Sequence, residues 1–283
     1  MNAVELNNIS KTYKDFSLSN LSLNVPTGSI VGLVGENGAG KSTTIKLIMN
    51  VISPDAGTIK VFGKPNNTDD FISARDDIGV VLDESYFPEI ISASNVDVIM
   101  KNTYRNWNSQ QYLSYIQKFS LPLKKPFRDF SRGMKMKLAI AVAMSHAPKL
   151  LILDEATSGL DPMVRDEMLD IFNDFTRNEE NSILISSHIV SDLEKICDYI
   201  AFIHQGRLVL CEEKDRLIQE YAIVKLTADK FESIPDQAVK SKKVTPYGVE
   251  ALVKRSLISS SFRTEYTTLE DIILFLAKGD TNK

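Results

Sequence analysis

The spacing of apolar residues divides the chain into short strands alternating with helices. Ala3 to Ile9 reads as a first strand. Phe16 to Val25 follows with Leu21, Leu23 and Val25 in period-two alternation, ended by the turn Pro26-Thr27-Gly28. Ser29-Ile30-Val31-Gly32-Leu33-Val34 is nearly continuously apolar, as a parallel strand covered on both faces would be. Thr43 to Asn50 carries helical spacing. Thr58 to Gly63 and Ile78 to Leu82 read as further strands, the second ending in acidic Asp83-Glu84. From about Ser92 to Ala147 the period turns helical. One helix there begins near Asn108, sets Leu113, Ile116 and Phe119 on one side and stops at Pro122. Leu150 to Asp154 and Ser182 to Ser187 return to strand, with a helix over Val164–Arg177 between them. That alternation predicts a parallel sheet with right-handed crossovers. Past residue 215, Ile223 to Thr227 and Glu250 to Lys254 read as short strands. Thr268-Leu269-Glu270-Asp271 resembles a capping box before Ile272 to Ala277. This last helix is apolar over most of its length and is expected to dock on a partner surface or a second subunit, the region as a whole acting as an accessory packing unit without a ligand.

Composition narrows the class without choosing a function. A length of 283 residues suits one large α/β domain with an appendage, or two small domains. Hydrophobic content of 43% and charged content of 25% fit a globular chain with a sizeable core. A net charge of −4 gives no overall attraction to nucleic acid, so no nucleic-acid partner is expected. The short basic clusters Lys124-Lys125 and Lys240 to Lys243 read as solvated loops. No apolar stretch approaches the ~20 residues that span a bilayer, and Met1 to Glu5 is no signal peptide, so the chain is expected not to cross a membrane by itself. Cys197 and Cys211 lack metal-ligand spacing and fit a reduced cytoplasmic setting.

The chemistry enters with residues 35–42, Gly35-Glu36-Asn37-Gly38-Ala39-Gly40-Lys41-Ser42, which spell G-x-x-x-x-G-K-[ST] between a buried strand and a helix. In such a loop backbone N–H groups face inward around a β-phosphate. Lys41 reaches toward the β- and γ-phosphates, and the Ser42 hydroxyl can ligate Mg²⁺. Thr43 follows at the start of the helix, whose dipole points at the phosphates. A second element is Leu150-Leu151-Ile152-Leu153-Asp154-Glu155, which sets two carboxylates at the carboxyl end of a core strand, where open α/β sheets bind ligands. Asp154 would hold Mg²⁺, directly or through water, and Glu155 would polarise a water aimed at the γ-phosphorus. Taken alone, the same run is also a strand entering an acidic turn. A third is Phe130-Ser131-Arg132-Gly133-Met134, where Ser131 has the place of an N-cap. It reads either as a simply capped helix or as a second helix N-terminus for a γ-phosphate.

The order of these motifs resembles the ATP-binding subunit of ABC transporters. The phosphate loop is followed by Ser131-x-Gly133, then Leu153-Asp154-Glu155, then Ser158-Gly159-Leu160-Asp161, then His188, and the likeness covers about residues 3–215. The resemblance implies an α/β fold: a P-loop NTPase core with a mixed, largely parallel sheet, an N-terminal antiparallel β subdomain and an inserted helical subdomain at about 85–147. A small C-terminal α+β extension over 216–283 would follow. By resemblance Tyr13 stacks on adenine, with Phe16 the weaker candidate. Residues 131–134 contact the nucleotide of a second subunit, Ser158 to Asp161 couple the two sites, and His188 senses the γ-phosphate. His146 and His204 read as structural. The implied function is an ATPase, with Mg²⁺, that dimerises on ATP with a like or identical subunit. It would drive an integral membrane permease from the cytoplasmic face of the membrane, held there through that permease.

Three stretches depart from the family pattern. Arg132-Gly133-Met134 stands where Gly-Gly-Gln is usual, Asp83 where a glutamine is usual, and Ala156 where proline is common. Asp83 either reaches Mg²⁺ or the attacking water, or is a loop acid. The Ser-Arg-Gly-Met-Lys form and the Val-Val-Leu-Asp-Glu run resemble exporter-type ATPases of antibiotic- and peptide-resistance systems, which implies an amphipathic cargo such as phenol-soluble-modulin peptides. The permease is expected to dock in a groove between the Asp83 region and the helical segment, where Tyr86, Phe87 and Pro88 supply apolar loop side chains. A non-transport ATPase of the same superfamily, or a regulatory subunit with little hydrolysis, are the alternatives.

Overall fold

The computed structural model describes residues 1–83 and 87–279. Strands β1 (Asn2–Thr12) and β2 (Ser17–Pro26) pair antiparallel, and after β3 (Ile30–Val34) and helix α1 (Lys41–Ile48) the chain returns through β4 (Ala56–Val61) and β5 (Lys64–Pro65). The N-terminal sheet has the order β2-β1-β4-β5. Helix α2 (Asp69–Ala74) leads into β6 (Ile78–Val81). The helical segment follows as α3 (Ala93–Lys101), α4 (Ser109–Lys118) and α5 (Arg132–Met144). Then come β7 (Leu150–Asp154), α6 (Pro162–Phe175), β8 (Ser182–Ser187), α7 (Val190–Ile196), β9 (Tyr199–His204) and β10 (Arg207–Glu213). The central sheet runs β10-β9-β3-β8-β7-β6, parallel throughout except for β10, which turns back antiparallel on β9.

The continuous apolar runs of the central strands serve two cores. In β3, Ile30 and Val34 face the core built with the helices, whereas Val31 and Leu33 face the core shared with the N-terminal sheet. The same alternation divides Leu151 and Leu153 from Leu150 and Ile152 in β7, and Ile200 and Phe202 from Ala201 and Ile203 in β9. Strand side chains alternate faces, so a strand covered on both sides has no polar face.

Helix α4 corrects one expectation. Leu113 is 44% exposed, and the buried stripe is Tyr112, Ile116 and Phe119. Steps of four and three follow the 3.6-residue period, whereas the 113-116-119 set steps by three each time and drifts around the helix. The helix also ends earlier than Pro122, at Lys118, with Ser120 in the left-handed region at φ 54°. The Tyr112 hydroxyl donates to the Ala93 carbonyl at 2.8 Å, tying α4 to α3.

After α8 (Lys214–Glu220) the chain forms β11 (Tyr221–Leu226), α9 (Ala228–Phe231), β12 (Val239–Thr245), β13 (Gly248–Lys254) and β14 (Thr264–Glu265), then α10 (Leu269–Gly279). These strands make an antiparallel sheet in the order β12-β13-β11-β14. Lys240 to Lys243, expected in a loop, lie in edge strand β12, where exposed lysines blunt pairing with another chain. The capping box at α10 is present, with Asp271 in place of Glu: Asp271 N–H donates to Thr268 Oγ1, and Thr268 N–H to Asp271 Oδ2 at 3.0 Å. Much of the apolar side of this helix is covered within the chain. Leu269, Ile272 and Ile273 are buried with Leu217, Ile223 and Leu252 in the same core as the helical segment, and α10 packs on α7 and α8. Its period-3.6 stripe is satisfied within the chain.

Candidate functional site

The phosphate loop bridges β3 and α1, and neighbouring backbone shapes it. Gly35 lies so close to β9 that a Cβ there would fall 2.3 Å from the Ile203 carbonyl oxygen. Lys41 is the first residue of α1 and is 6% exposed. Its ammonium donates to the carbonyls of Gly35 at 2.7 Å and Glu36 at 3.2 Å and stands 3.5 Å from Glu155 Oε1. Ala39 and Gly40 are buried, while Glu36, Asn37, Gly38 and Ser42 are exposed and Thr43 half-buried. The loop therefore turns its outer residues to solvent while its lysine is held inward. Phe16 reaches the same loop, its Cζ 3.0 Å from where a Cβ on Gly40 would be, and Tyr13 lies beside Phe16 at 6.5 Å between ring centres, 44% exposed.

The end of β7 meets this loop. Asp154 is 7% exposed and accepts a 2.5 Å hydrogen bond from the Ser186 hydroxyl. Glu155 sits at φ 52°, in the left-handed region, a position that costs a non-glycine residue free energy and persists only where its surroundings hold it. Its N–H is held at 3.1 Å by both the carbonyl and the hydroxyl of Ser186. That turn aims the carboxylate between two groups: Oε1 faces Lys41, and Oε2 lies 2.7 Å from Nδ1 of His188. Lys41, Glu155 and His188, which come from three separate motifs, thus form one chain of contacts. Ser186 is the member that the motifs miss. Its signal is the pair Ser186-Ser187 ending an otherwise apolar strand, both 0% exposed.

His204, expected to be structural, also touches the loop, with Nδ1 3.3 Å from Glu36 Oε1. His146 matches its structural reading: it stacks on Tyr104 at 4.1 Å, and Nδ1 pairs with the Asp76 carbonyl at 3.0 Å.

A second group of expected residues gathers at the start of α5. The Ser131 hydroxyl accepts from Met134 N–H at 3.2 Å, capping the helix. Gly133 has open space before it, since an added Cβ would meet only Leu160 Cδ2 at 3.9 Å. In the loop 158–161, Ser158 N–H donates to the Glu155 carbonyl, Leu160 is buried, and Asp161 caps α6 through Val164 N–H at 3.1 Å. Asp83, expected either near the metal or attacking water or as a loop acid, lies 3.1 Å from Arg132 Nη2. Of the expected docking residues, Tyr86 lies outside the described residues and Pro88 is exposed. Phe87 is turned inward, edge-on to Phe127 with ring centres 5.5 Å apart.

The sequence profile of the ABC transporter family matches residues 18–158. The chain is 36% identical over 216 residues to the lantibiotic transport ATP-binding protein SrtF of Streptococcus pyogenes, an alignment covering 75% of this chain and 91% of that protein. It is 33% identical over 210 residues to the bacitracin transport ATP-binding protein BcrA of Enterococcus faecalis, covering 73% of this chain and 68% of that one. A solved structure described as the ATP-binding subunit of an ABC transporter superposes with a TM-score of 0.69 at 28% identity, covering 76% of this chain and 91% of its own.

Proposed function

Because the chain belongs to the ATP-binding subunits of ABC transporters, we propose that its Lys41–Glu155–His188 chain is the hydrolytic half of a site completed by a second subunit. The protein binds and hydrolyses ATP. The observation that carries the assignment of roles is the continuous contact from phosphate loop to strand end: 3.5 Å from Lys41 to Glu155 and 2.7 Å from Glu155 to His188.

Residues 35–43 cradle the nucleotide phosphates with backbone N–H groups, and Lys41 neutralises charge developing between the β- and γ-positions. Phe16 and Tyr13 flank the loop where the base would stack. Glu155 accepts a proton from the attacking water, and His188 fixes the orientation of its carboxylate. Mg²⁺ fits the donors present: the buried Asp154 carboxylate, with one oxygen already oriented by Ser186, and the exposed Ser42 hydroxyl would supply two oxygen ligands. Magnesium sites of this kind take few protein ligands and complete their shell with phosphate and water. The ion would supply positive charge that polarises the phosphoryl group.

Dimerisation places Ser131 and Gly133 of one subunit over the phosphates held by the other, and the two-fold interface makes both sites composite. Loss of the γ-phosphate removes these contacts and opens the pair. The permease docks near Pro88 and the exposed Ile90, Val98 and Ile99, which border the loop after β6 and the outer side of α3. No helix among the described residues is long and apolar enough to cross a membrane, and the subunit is held at the cytoplasmic face through that permease. The lantibiotic and bacitracin relatives support export of a peptide antibiotic or another amphipathic compound. The expected result for Glu155→Gln is retained ATP binding with turnover lower by about 10²–10⁴, the range of a general acid–base group. Hydrolysis near the wild-type rate would remove Glu155 from that role.

A further inference from the structure

Arg132 and Asp83 are two of the three departures from the family pattern, and they meet. Arg132 Nη2 stands 3.1 Å from Asp83 Oδ1, a contact between residues 49 positions apart. The same guanidinium lies across Gly159: a Cβ on Gly159 would fall 2.8 Å from both its Cζ and Nη1. Gly159 adopts φ 67°, a conformation that glycine accepts freely, and its missing side chain is what gives the guanidinium room. One side chain therefore joins the loop after β6, the first residue of α5 and the loop before α6.

The contact is built to open. Asp83 is 53% and Arg132 56% exposed, so water screens their attraction and a better partner displaces either of them. The face of α5 next to the pair has open space at Gly133 and lies at a helix N-terminus, whose dipole favours an anion. A terminal phosphate arriving there brings more negative charge than one carboxylate and accepts both arms of the guanidinium fork.

We propose that Arg132 is a positioning residue that exchanges partners in the ATPase cycle. In the separate subunit it is held on Asp83 and against Gly159. When a second subunit carries ATP to the start of α5, Arg132 turns from Asp83 to the γ-phosphate, and the loops bearing Asp83 and Gly159 are released together. Asp83 thereby competes with ATP for the same guanidinium. This rests on the composite-site reading above.

The test measures, by light scattering, the ATP concentration giving half-maximal dimer in the full-length chain carrying Glu155→Gln, where slow turnover keeps ATP present. Adding Asp83→Asn should lower that concentration about two- to five-fold, the scale of an exposed ion pair. Arg132→Gln should raise it, Arg132→Lys should recover part of the loss, and Asp83→Asn should add nothing in the Arg132→Gln chain. Binding of ADP to the separate subunit should stay the same in all of them, which a general loss of structure would not allow. An Asp83→Asn effect of equal size in both backgrounds, or no lowering at all, overturns the exchange. If no chain dimerises with ATP, the composite-site reading itself fails and the exchange falls with it.

Discussion

At the residue scale, the site depends on a serine that carries no chemistry of its own. Ser186 holds Asp154 by its hydroxyl and the strained Glu155 backbone by both its carbonyl and its hydroxyl. Hydrogen bonds to charged groups contribute about 1.5–3 kcal/mol. If the Asp154 contact is held through the transition state, Ser186→Ala should lower kcat about tenfold to a hundredfold. Apparent ATP affinity should change much less, because the phosphate loop is untouched. Steady-state kinetics separate the two, and a loss confined to KM would assign Ser186 to ground-state binding. The two carboxylates at the end of β7 were legible because two acids ending an apolar run are a local signal. Ser186 was not, since its partners lie 31 and 32 residues away in sequence and only the parallel pairing of β7 with β8 brings them together.

At the element scale, the helical segment carries a pH dependence separate from catalysis. Burial pushes the His146 imidazole below its ordinary value of 6.5, outweighing the Asp76 carbonyl hydrogen bond, which favours the charged form. Its Nε2 is buried without a partner, so a proton arriving there would find no acceptor. The unfolded chain takes up that proton near pH 6.5 and the folded chain only at lower pH, so stability should fall as pH drops below about 6.5 and be unaffected above it. Urea midpoints between about pH 5 and about pH 7.5 should show this slope, and His146→Gln should flatten it. Element type was readable here from period alone, as α3, α4 and α5 all lie within the helical stretch. Which face turns inward was less so, because Leu113 and Tyr112 are both apolar enough to bury and only the exact 3.6-residue step chooses between them. Strand β12 escaped for a different reason: a lysine-rich edge strand has neither the apolar run nor the alternation that marks a covered one.

At the scale of the whole molecule, the region after residue 215 is continuous with the ATPase core. One face of its sheet has its own small cluster around Ala222, Val224, Ala251 and Val253, but Ile223 and Leu252 on the other face join the large core through α10. The full chain should therefore unfold in one calorimetric transition, and a chain ending at residue 215 should melt at lower temperature and bind apolar dye, having lost both α8 and the α10 cover over α7. Two separate transitions, with a stable shortened chain, would make the region an independent module. The docking of α10 was not legible because an apolar helix is equally suited to its own chain or to another. The contact of Arg132 with Asp83 and Gly159 has a consequence in descent as well as in mechanism. A change at any one of these sites should alter how well the residues at the other two fit together. Across related chains the acid, the arginine and the glycine should be inherited and lost together, so that a lineage restoring glutamine at 83 also sheds the charge at 132.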